Sequence, residues 1–188
     1  MKRVFFFFIL FFASISLFSQ KDVDEFELTA GGFVDFVVVD TDKTAEQIFT
    51  NIKKWAEYNL KNADYSNYSE VENEYLAYSF VDVKGIQAQD VITKTEQDIF
   101  LDVEIRIRDK KFRVDIIVKE YRFSDDFQKG YPLSLNDGWA KMFKKNGKPR
   151  TQRLYREGIE QTNISANAIL KTITEAVEGV VDYKKTDW

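Results

Sequence analysis

The sequence contains no cysteine and no histidine, and proline occurs only twice. Without cysteine there is no disulfide and no thiolate metal site, so the fold must be held by its core alone. A lipid-modified cysteine near the N-terminus is excluded for the same reason. Without histidine, the commonest general base and the commonest transition-metal ligand are missing. Any catalysis would have to rest on carboxylates, serine, tyrosine or lysine. A basic excess is missing too: the net charge is −4. That balance argues against a nucleic-acid partner, which favours a basic domain.

What is present begins with MKRVFFFFILFFASISLFSQ, residues 1–20. A basic start, Lys2 and Arg3, precedes an unbroken apolar run over 4–12, and small polar residues follow. That order is the pattern of a secretory signal peptide. Ser14, Ser16 and Ser19 break the run well before the roughly 20 apolar residues that a membrane-spanning helix needs. Residues 1–19 are therefore expected to be removed near Ser19 or Gln20, an uncleaved anchor being the alternative. Loss of Lys2 and Arg3 would take the net charge from −4 to −6. The remainder suits a single domain, and a chain of this size buries roughly 70% of its unfolded surface.

Residues 20–32 are polar, end in Gly31-Gly32, and are expected to be a flexible lead-in to one domain over 33–188. Residues 33–39, FVDFVVV, predict a strand with little exposure on either face. A helix follows, with Ala45, Ile48, Phe49, Ile52, Trp55 and Ala56 on one side. Thr44, with Gln47 three residues on, predicts a capping box. Residues 64–73 are expected to form a loop with a short edge strand. Residues 76–83 predict a strand ended by Gly85, and 86–98 a long hairpin connection. Two further strands are expected over 99–108 and 112–123.

The pair can be put in register. A tight turn at Asp109 and Lys110 sets Ile107 opposite Phe112, Ile105 opposite Val114, Val103 opposite Ile116 and Leu101 opposite Val118. All eight then face one way, and a one-residue slip would bury Arg113. The outward row is Glu104, Arg106, Arg108, Arg113 and Asp115. In this register Arg106 opposes Arg113 and Glu104 opposes Asp115. The diagonals, Glu104 with Arg113 and Arg106 with Asp115, are complementary. The row is read as the solvated side of the sheet, without the positive field of a nucleic-acid-binding saddle. Residues 130–149 hold both prolines and three glycines and are expected to be loose, with Trp139, Met142 and Phe143 in one short amphipathic turn. A last helix is expected over 158–181, with Ile159, Ala166, Ile169, Ile173, Val177 and Val180 on one face. The expected fold is α+β: one antiparallel sheet with two helices on one face, in the order β-α-β-β-β-α.

Two stretches carry a resemblance. VVVDTDKTAEQIFTNIKKW is a valine-rich strand leading into a helix with a tryptophan, and RDKKFR is a basic hairpin. Together they resemble a family of exported Bacteroidota proteins of unknown function with a TATA-binding-protein-like (TBP-like) fold, over residues 33–126. Lys110 stands where the family pattern has glycine. The family has no assigned activity or site residues. The resemblance therefore implies a fold and no chemistry, and a fold name does not import DNA binding.

Three features bear on function. VVVDTDKT, residues 37–44, matches the opening motif of haloacid-dehalogenase-like phosphatases, in which Asp40 would attack phosphorus and Asp42 serve as acid/base with Mg²⁺. The alternative is that Asp40 and Asp42 are helix-start residues. Antiparallel hairpins follow where that chemistry needs a parallel sheet, which favours the alternative. Second, no acid lies between Asp137 and Glu157, while Lys141, Lys144, Lys145, Lys148, Arg150, Arg153 and Arg156 do, alongside Trp139. These eight residues are the candidate contact surface, set against the plainer reading of a solvated loop. Third, Tyr58, Tyr65, Tyr68, Tyr75 and Tyr78 lie close together and are expected to edge the core with their hydroxyls in water.

The expected function is that of a non-catalytic exported protein of the periplasm or envelope, with no cofactor and no metal. It would bind an envelope protein, an anionic lipid or an acidic polysaccharide through its sheet face or basic segment. The rivals are a helix-grip-like carrier of a small apolar ligand, which needs a cavity under residues 164–177, and the Asp40/Asp42 phosphatase.

Overall fold

The computed structural model describes residues 25–33, 35–60, 68–89, 94–124 and 130–180. The expected signal peptide and its cleavage position lie outside the described residues. Two short strands, β1 (Leu28–Thr29) and β2 (Gly32–Phe33), form a small hairpin. They are followed by β3 (Val37–Asp40), α1 (Ala45–Leu60), β4 (Tyr68–Val71), β5 (Tyr75–Gln89), β6 (Lys94–Arg108), β7 (Lys111–Phe123) and α2 (Arg153–Val177). The main sheet has the order β3-β7-β6-β5-β4 and every pairing in it is antiparallel. Ile48, Phe49, Ile52 and Trp55 of α1 and Ile169 and Ile173 of α2 are buried in one cluster with Val103, Ile105, Val114 and Ile116 of the sheet. The α+β architecture and the one-sided core are those expected.

The β6–β7 register is also as expected, with Ile107 opposite Phe112 and Leu101 opposite Val118. The turn between them differs from the favoured two-residue hairpin. Lys110 is left-handed (φ 64) but Asp109 is not, whereas a type I′ turn needs positive φ at both positions. Backbone hydrogen bonds hold the strained residue: Lys110 N–H donates to Lys43 O (3.0 Å), and Thr41 N–H donates to Lys110 O (2.9 Å).

Several boundaries are corrected. Residues 33–39 are not one strand, because Phe33 pairs with Leu28 and packs against the Phe26 ring at a tilt of 60° (5.4 Å), leaving β3 only its last part. From Glu25 on, the expected lead-in belongs to the fold. Phe26 and Leu28 are buried, and their backbones are held by Asn167 and Asn163 of α2. Gly85 does not end β5. It sits in a bulge between Asp82 and Ile86, where Lys84 takes φ 56 and a Cβ on Gly85 would lie 2.7 Å from the Asp82 carboxylate. Both strands therefore run on, and the expected connection over 86–98 is mostly paired strand. Gly158 is interior to α2, not its start, and α2 ends before Val180. Gly179 (φ 74) closes the helix: Val180 N–H donates to Glu175 O (3.0 Å) and Gly179 N–H to Ala176 O (3.1 Å). That pair of bonds is a Schellman cap.

Candidate functional site

The 130–150 segment is a closed lobe, not a loose loop. Leu133, Met142 and Phe143 are buried. The Leu133 N–H donates to Oε1 of buried Gln97 (2.8 Å), which fixes the lobe to the start of β6. Within it, Met142 N–H donates to Ser134 O (2.8 Å), Phe143 N–H to Leu135 O (3.0 Å) and Arg150 N–H to Met142 O (2.9 Å). Lys144 N–H donates to Lys148 O (2.8 Å), closing a turn in which Gly147 takes φ 77. Close packing on α2 requires Gly158, since a Cβ there would lie 2.6 Å from Leu133 Cδ1 and 2.9 Å from Met142 Sδ.

Trp139 does not join Met142 and Phe143 in an amphipathic turn. It is 79% exposed and stacks on Tyr131, itself 62% exposed, with ring centroids 6.0 Å apart and planes 22° from parallel. Tyr131 was not legible as its partner, because seven residues without periodicity separate them. Of the expected contact residues, Trp139, Lys141, Lys144, Lys145 and Lys148 lie on this lobe, with Arg150 at its base. Arg153 and Arg156 are on α2 instead, and Arg153 pairs with Glu157 (2.5 Å). The Arg150 guanidinium lies 5.6 Å from the centre of the Tyr155 ring. Lys144, Lys145 and Lys148 are exposed and form no ion pair among the described residues.

Neither Asp40 nor Asp42 caps α1. Thr44 and Gln47 form the expected capping box: Thr44 N–H donates to Gln47 Oε1 (2.9 Å) and Gln47 N–H to Thr44 Oγ1 (3.3 Å). Asp109 of the hairpin turn accepts the next amide, Ala45 N–H (2.9 Å). Asp42 points to solvent and pairs with Lys43 (2.8 Å), whose hydrogen bond and charge hold its carboxyl below the usual range. Asp40 ends β3, an edge strand opposite Lys111 in an antiparallel sheet, where the phosphatase reading requires a parallel one.

On the open sheet face the ion pairs of Arg106 and Arg113 run along their own strands, not across the expected diagonals. Arg113 Nε and Nη2 donate to Asp115 (2.8 and 2.5 Å), and the Phe36 ring lies 3.5 Å from the guanidinium carbon. Arg106 reaches Glu104 at 3.8 Å. Lys119 and Ser79 share Asp102 (3.1 and 2.7 Å). Arg108 and Lys111, facing each other next to the turn, are exposed and make no ion pair among the described residues. They border a notch of about 260 Å³ together with Val38, Arg106 and Arg113.

Two larger hollows, about 660 and 650 Å³, flank α2. Both are lined in part by Glu25 and Asn167. Beneath the helix, Ala166, Ile173 and Val177 have no or almost no exposure. The tyrosine expectation fails at Tyr78, which is buried against Trp55 (5.3 Å) and whose hydroxyl has no partner among the described residues. Burial pushes that phenol well above its ordinary pKa. Tyr58 and Tyr68 are exposed as expected, and Tyr65 lies outside the described residues. Among the described residues no helix is long and apolar enough to cross a membrane.

No protein-family model matches the sequence, and neither does any curated protein. Two solved structures share the fold. One is a DUF4468 family protein from Bacteroides ovatus, 14% identical, with TM-score 0.56 over 80% of this chain and 88% of that one. The other is a TBP-like protein from Parabacteroides distasonis, 18% identical, with TM-score 0.52 over 77% of this chain and 91% of that one. The TBP-like α+β fold implied by the two sequence motifs is therefore the fold of this chain, and its neighbours are Bacteroidetes proteins without an assigned function.

Proposed function

We propose that this protein is an exported, non-catalytic binding module that attaches to anionic lipid headgroups of the cell envelope through the 130–150 lobe. The observation that carries the reading is the exposed Tyr131–Trp139 stack on a lobe that also presents Lys144, Lys145 and Lys148 without acidic partners. Tryptophan and tyrosine favour the water–hydrocarbon interface, where the ring is shielded and the polar tip stays wet. Each lysine near an anionic bilayer adds about 1 kcal/mol of attraction. The lobe is held by buried Leu133, Met142 and Phe143, so ordering it on contact costs little conformational entropy. Export rests on residues 1–19, and the acidic remainder of the chain keeps the attraction local. The packed core under α2 and the open hollows beside it favour this reading over an enclosed apolar carrier.

Sedimentation with vesicles tests it. Vesicles containing an anionic phospholipid should pull the protein down at low salt and release it at high salt, because exposed charges are screened beyond roughly 8 Å at physiological ionic strength. Trp139→Ala and the triple change Lys144→Glu, Lys145→Glu, Lys148→Glu should each weaken binding without altering the melting temperature. Equal binding by wild type and both variants would refute the assignment. Binding to purified envelope polysaccharide or protein but not to vesicles would refute the lipid as partner.

A further inference from the structure

We propose that the notch at the tip of the β6–β7 hairpin is a binding site for a phosphate monoester, separate from the lobe. The lobe is tied to the beginning of β6 through Gln97, while the notch lies at its end, beside Arg108. Strand alternation puts Arg106 and Arg108 of β6 opposite Arg113 and Lys111 of β7 on the open face, in two successive cross-strand pairs of like charge. Such pairs are destabilising unless something neutralises them. Asp115 neutralises Arg113 in a two-pronged bond, and Glu104 partly neutralises Arg106. Asp109, the acid in the turn itself, is committed to the Ala45 amide. Asp40 is opposite Lys111 in the β3–β7 pairing but outside ion-pair distance of it. Among the described residues Arg108 and Lys111 thus remain as two uncommitted cations at one hollow.

The chemistry of the occupant follows from that count. Two uncommitted cations suit a group carrying about −1.5 to −2 charges, as a phosphate monoester does near neutral pH, better than a carboxylate or phosphodiester with one. The Arg108 fork can meet two phosphate oxygens at once, with Lys111 as a mobile point charge across from it. Arg113 is already fixed by Asp115 on its edge and Phe36 on its face, so it forms a rigid wall whose charge is compensated. At about 260 Å³ the notch has room for roughly eight waters of about 30 Å³ each, enough for a phosphoryl group and the first atoms of its ester. The floor is firm, because the turn is bonded through Lys110 to Lys43 and Thr41.

The test is a titration of the purified protein followed by backbone amide shifts, with inorganic phosphate, glycerol 1-phosphate, acetate and chloride at matched ionic strength. Both phosphates should give saturable shifts over residues 38 and 106–113, and acetate and chloride should not. The double change Arg108→Gln, Lys111→Gln should weaken phosphate binding by about tenfold or more and leave the melting temperature unchanged or slightly raised, since it relieves a like-charge pair and breaks no ion pair among the described residues. Asp40→Asn should tighten it by removing a nearby negative charge. Absence of saturation at about 10 mM phosphate, an equal response to chloride, or wild-type binding by the double variant would each overturn the proposal. Vesicles of phosphatidylcholine with and without phosphatidic acid, presented to the Lys144→Glu, Lys145→Glu, Lys148→Glu variant so that the lobe does not contribute, separate the sources. Capture of the soluble phosphates with or without capture of the phosphatidic acid vesicles supports the site and identifies its source. Vesicle capture without soluble-phosphate binding overturns it in favour of a diffuse surface attraction.

Discussion

Asp109, in the turn of the β6–β7 hairpin, accepts the backbone N–H of Ala45 at the start of α1 at 2.9 Å, although the two are 64 residues apart. The Lys110 backbone bonds to Lys43 and Thr41 join the same two segments. The stretches that carry the family resemblance, VVVDTDKTAEQIFTNIKKW and RDKKFR, thus touch in the structure. They are one local interaction seen twice in the sequence. That contact explains why this turn can tolerate Lys110 where the pattern has glycine: the docked backbone offsets the left-handed strain.

Asp109→Ala should accordingly cost about 1 kcal/mol, as loss of a helix-start acceptor does. Asp40→Asn should stay within about 0.5 kcal/mol, as surface changes do. Urea denaturation of the two variants checks the contrast. If Asp40→Asn were the more damaging, the roles assigned to the two carboxylates would be reversed.

The capping box at Thr44 and Gln47 and the hairpin register were legible because both depend on neighbours in sequence or on a period of two. Gly85 and Gly158 were misread as an end and a start for one shared reason. Each marks a close approach: Ile99 for one, Leu133 and Met142 for the other, are brought there only by the tertiary fold, and the bulge turns Asp82 back onto Gly85. The ion pairs on the open face were legible as residues but not as partners. Phe36 lies against Arg113, and the guanidinium is bonded along its own strand to Asp115, not across to Glu104. The lobe looked loose because its composition is that of a loop, while its anchors are three separated side chains and one amide bond to Gln97.

Gly158→Ala tests the lobe's seat. Inside a helix, alanine is favoured over glycine by about 1 kcal/mol. Here the new methyl would press into Leu133 and Met142, and overpacking costs about 1–3 kcal/mol. A net loss of roughly 1 kcal/mol is expected, with faster proteolysis inside 130–150. A gain in stability would mean that the two side chains move aside freely.

Tyr78→Phe should be neutral or stabilising by up to about 1 kcal/mol, because it removes a buried hydroxyl that has no partner. It should also blunt alkaline unfolding. Burial raises the pKa of both Tyr78 and Tyr121 above the ordinary phenol value of about 10. Each raised phenol stabilises the fold fully below the unfolded pKa, and that stability is lost as pH rises from there towards the folded pKa. The loss is about 1.4 kcal/mol per pH unit for each group. A stability profile from neutral pH to above 10 should therefore fall less steeply in Tyr78→Phe than in wild type. Parallel profiles would show that Tyr78 reaches solvent before it ionises.

The N-terminal segment offers the sharpest local test. Asn167 brackets Phe26, accepting its N–H (2.7 Å) and donating to its carbonyl (3.0 Å), while Asn163 accepts the Leu28 N–H (2.8 Å). Four residues apart, these two asparagines lie on one face of α2 and act as a substitute strand edge for a segment that pairs only with β2. Replacing both with alanine leaves two amides of buried residues without acceptors, at about 1–3 kcal/mol each. Opening the segment instead exposes Phe26 and Leu28, at about 1.5–3 kcal/mol per side chain. The two costs are comparable, so the double variant should release residues 25–33 locally while the sheet survives. Hydrogen exchange should then lose protection at Phe26 and Leu28 and keep it across β5, β6 and β7. Asn167→Asp, which keeps the acceptor and loses the donor, should give a smaller effect than Asn167→Ala. A double variant that unfolds as a single unit, with no separate loss at 25–33, would show that the segment is an integral part of the core and not a latch upon it.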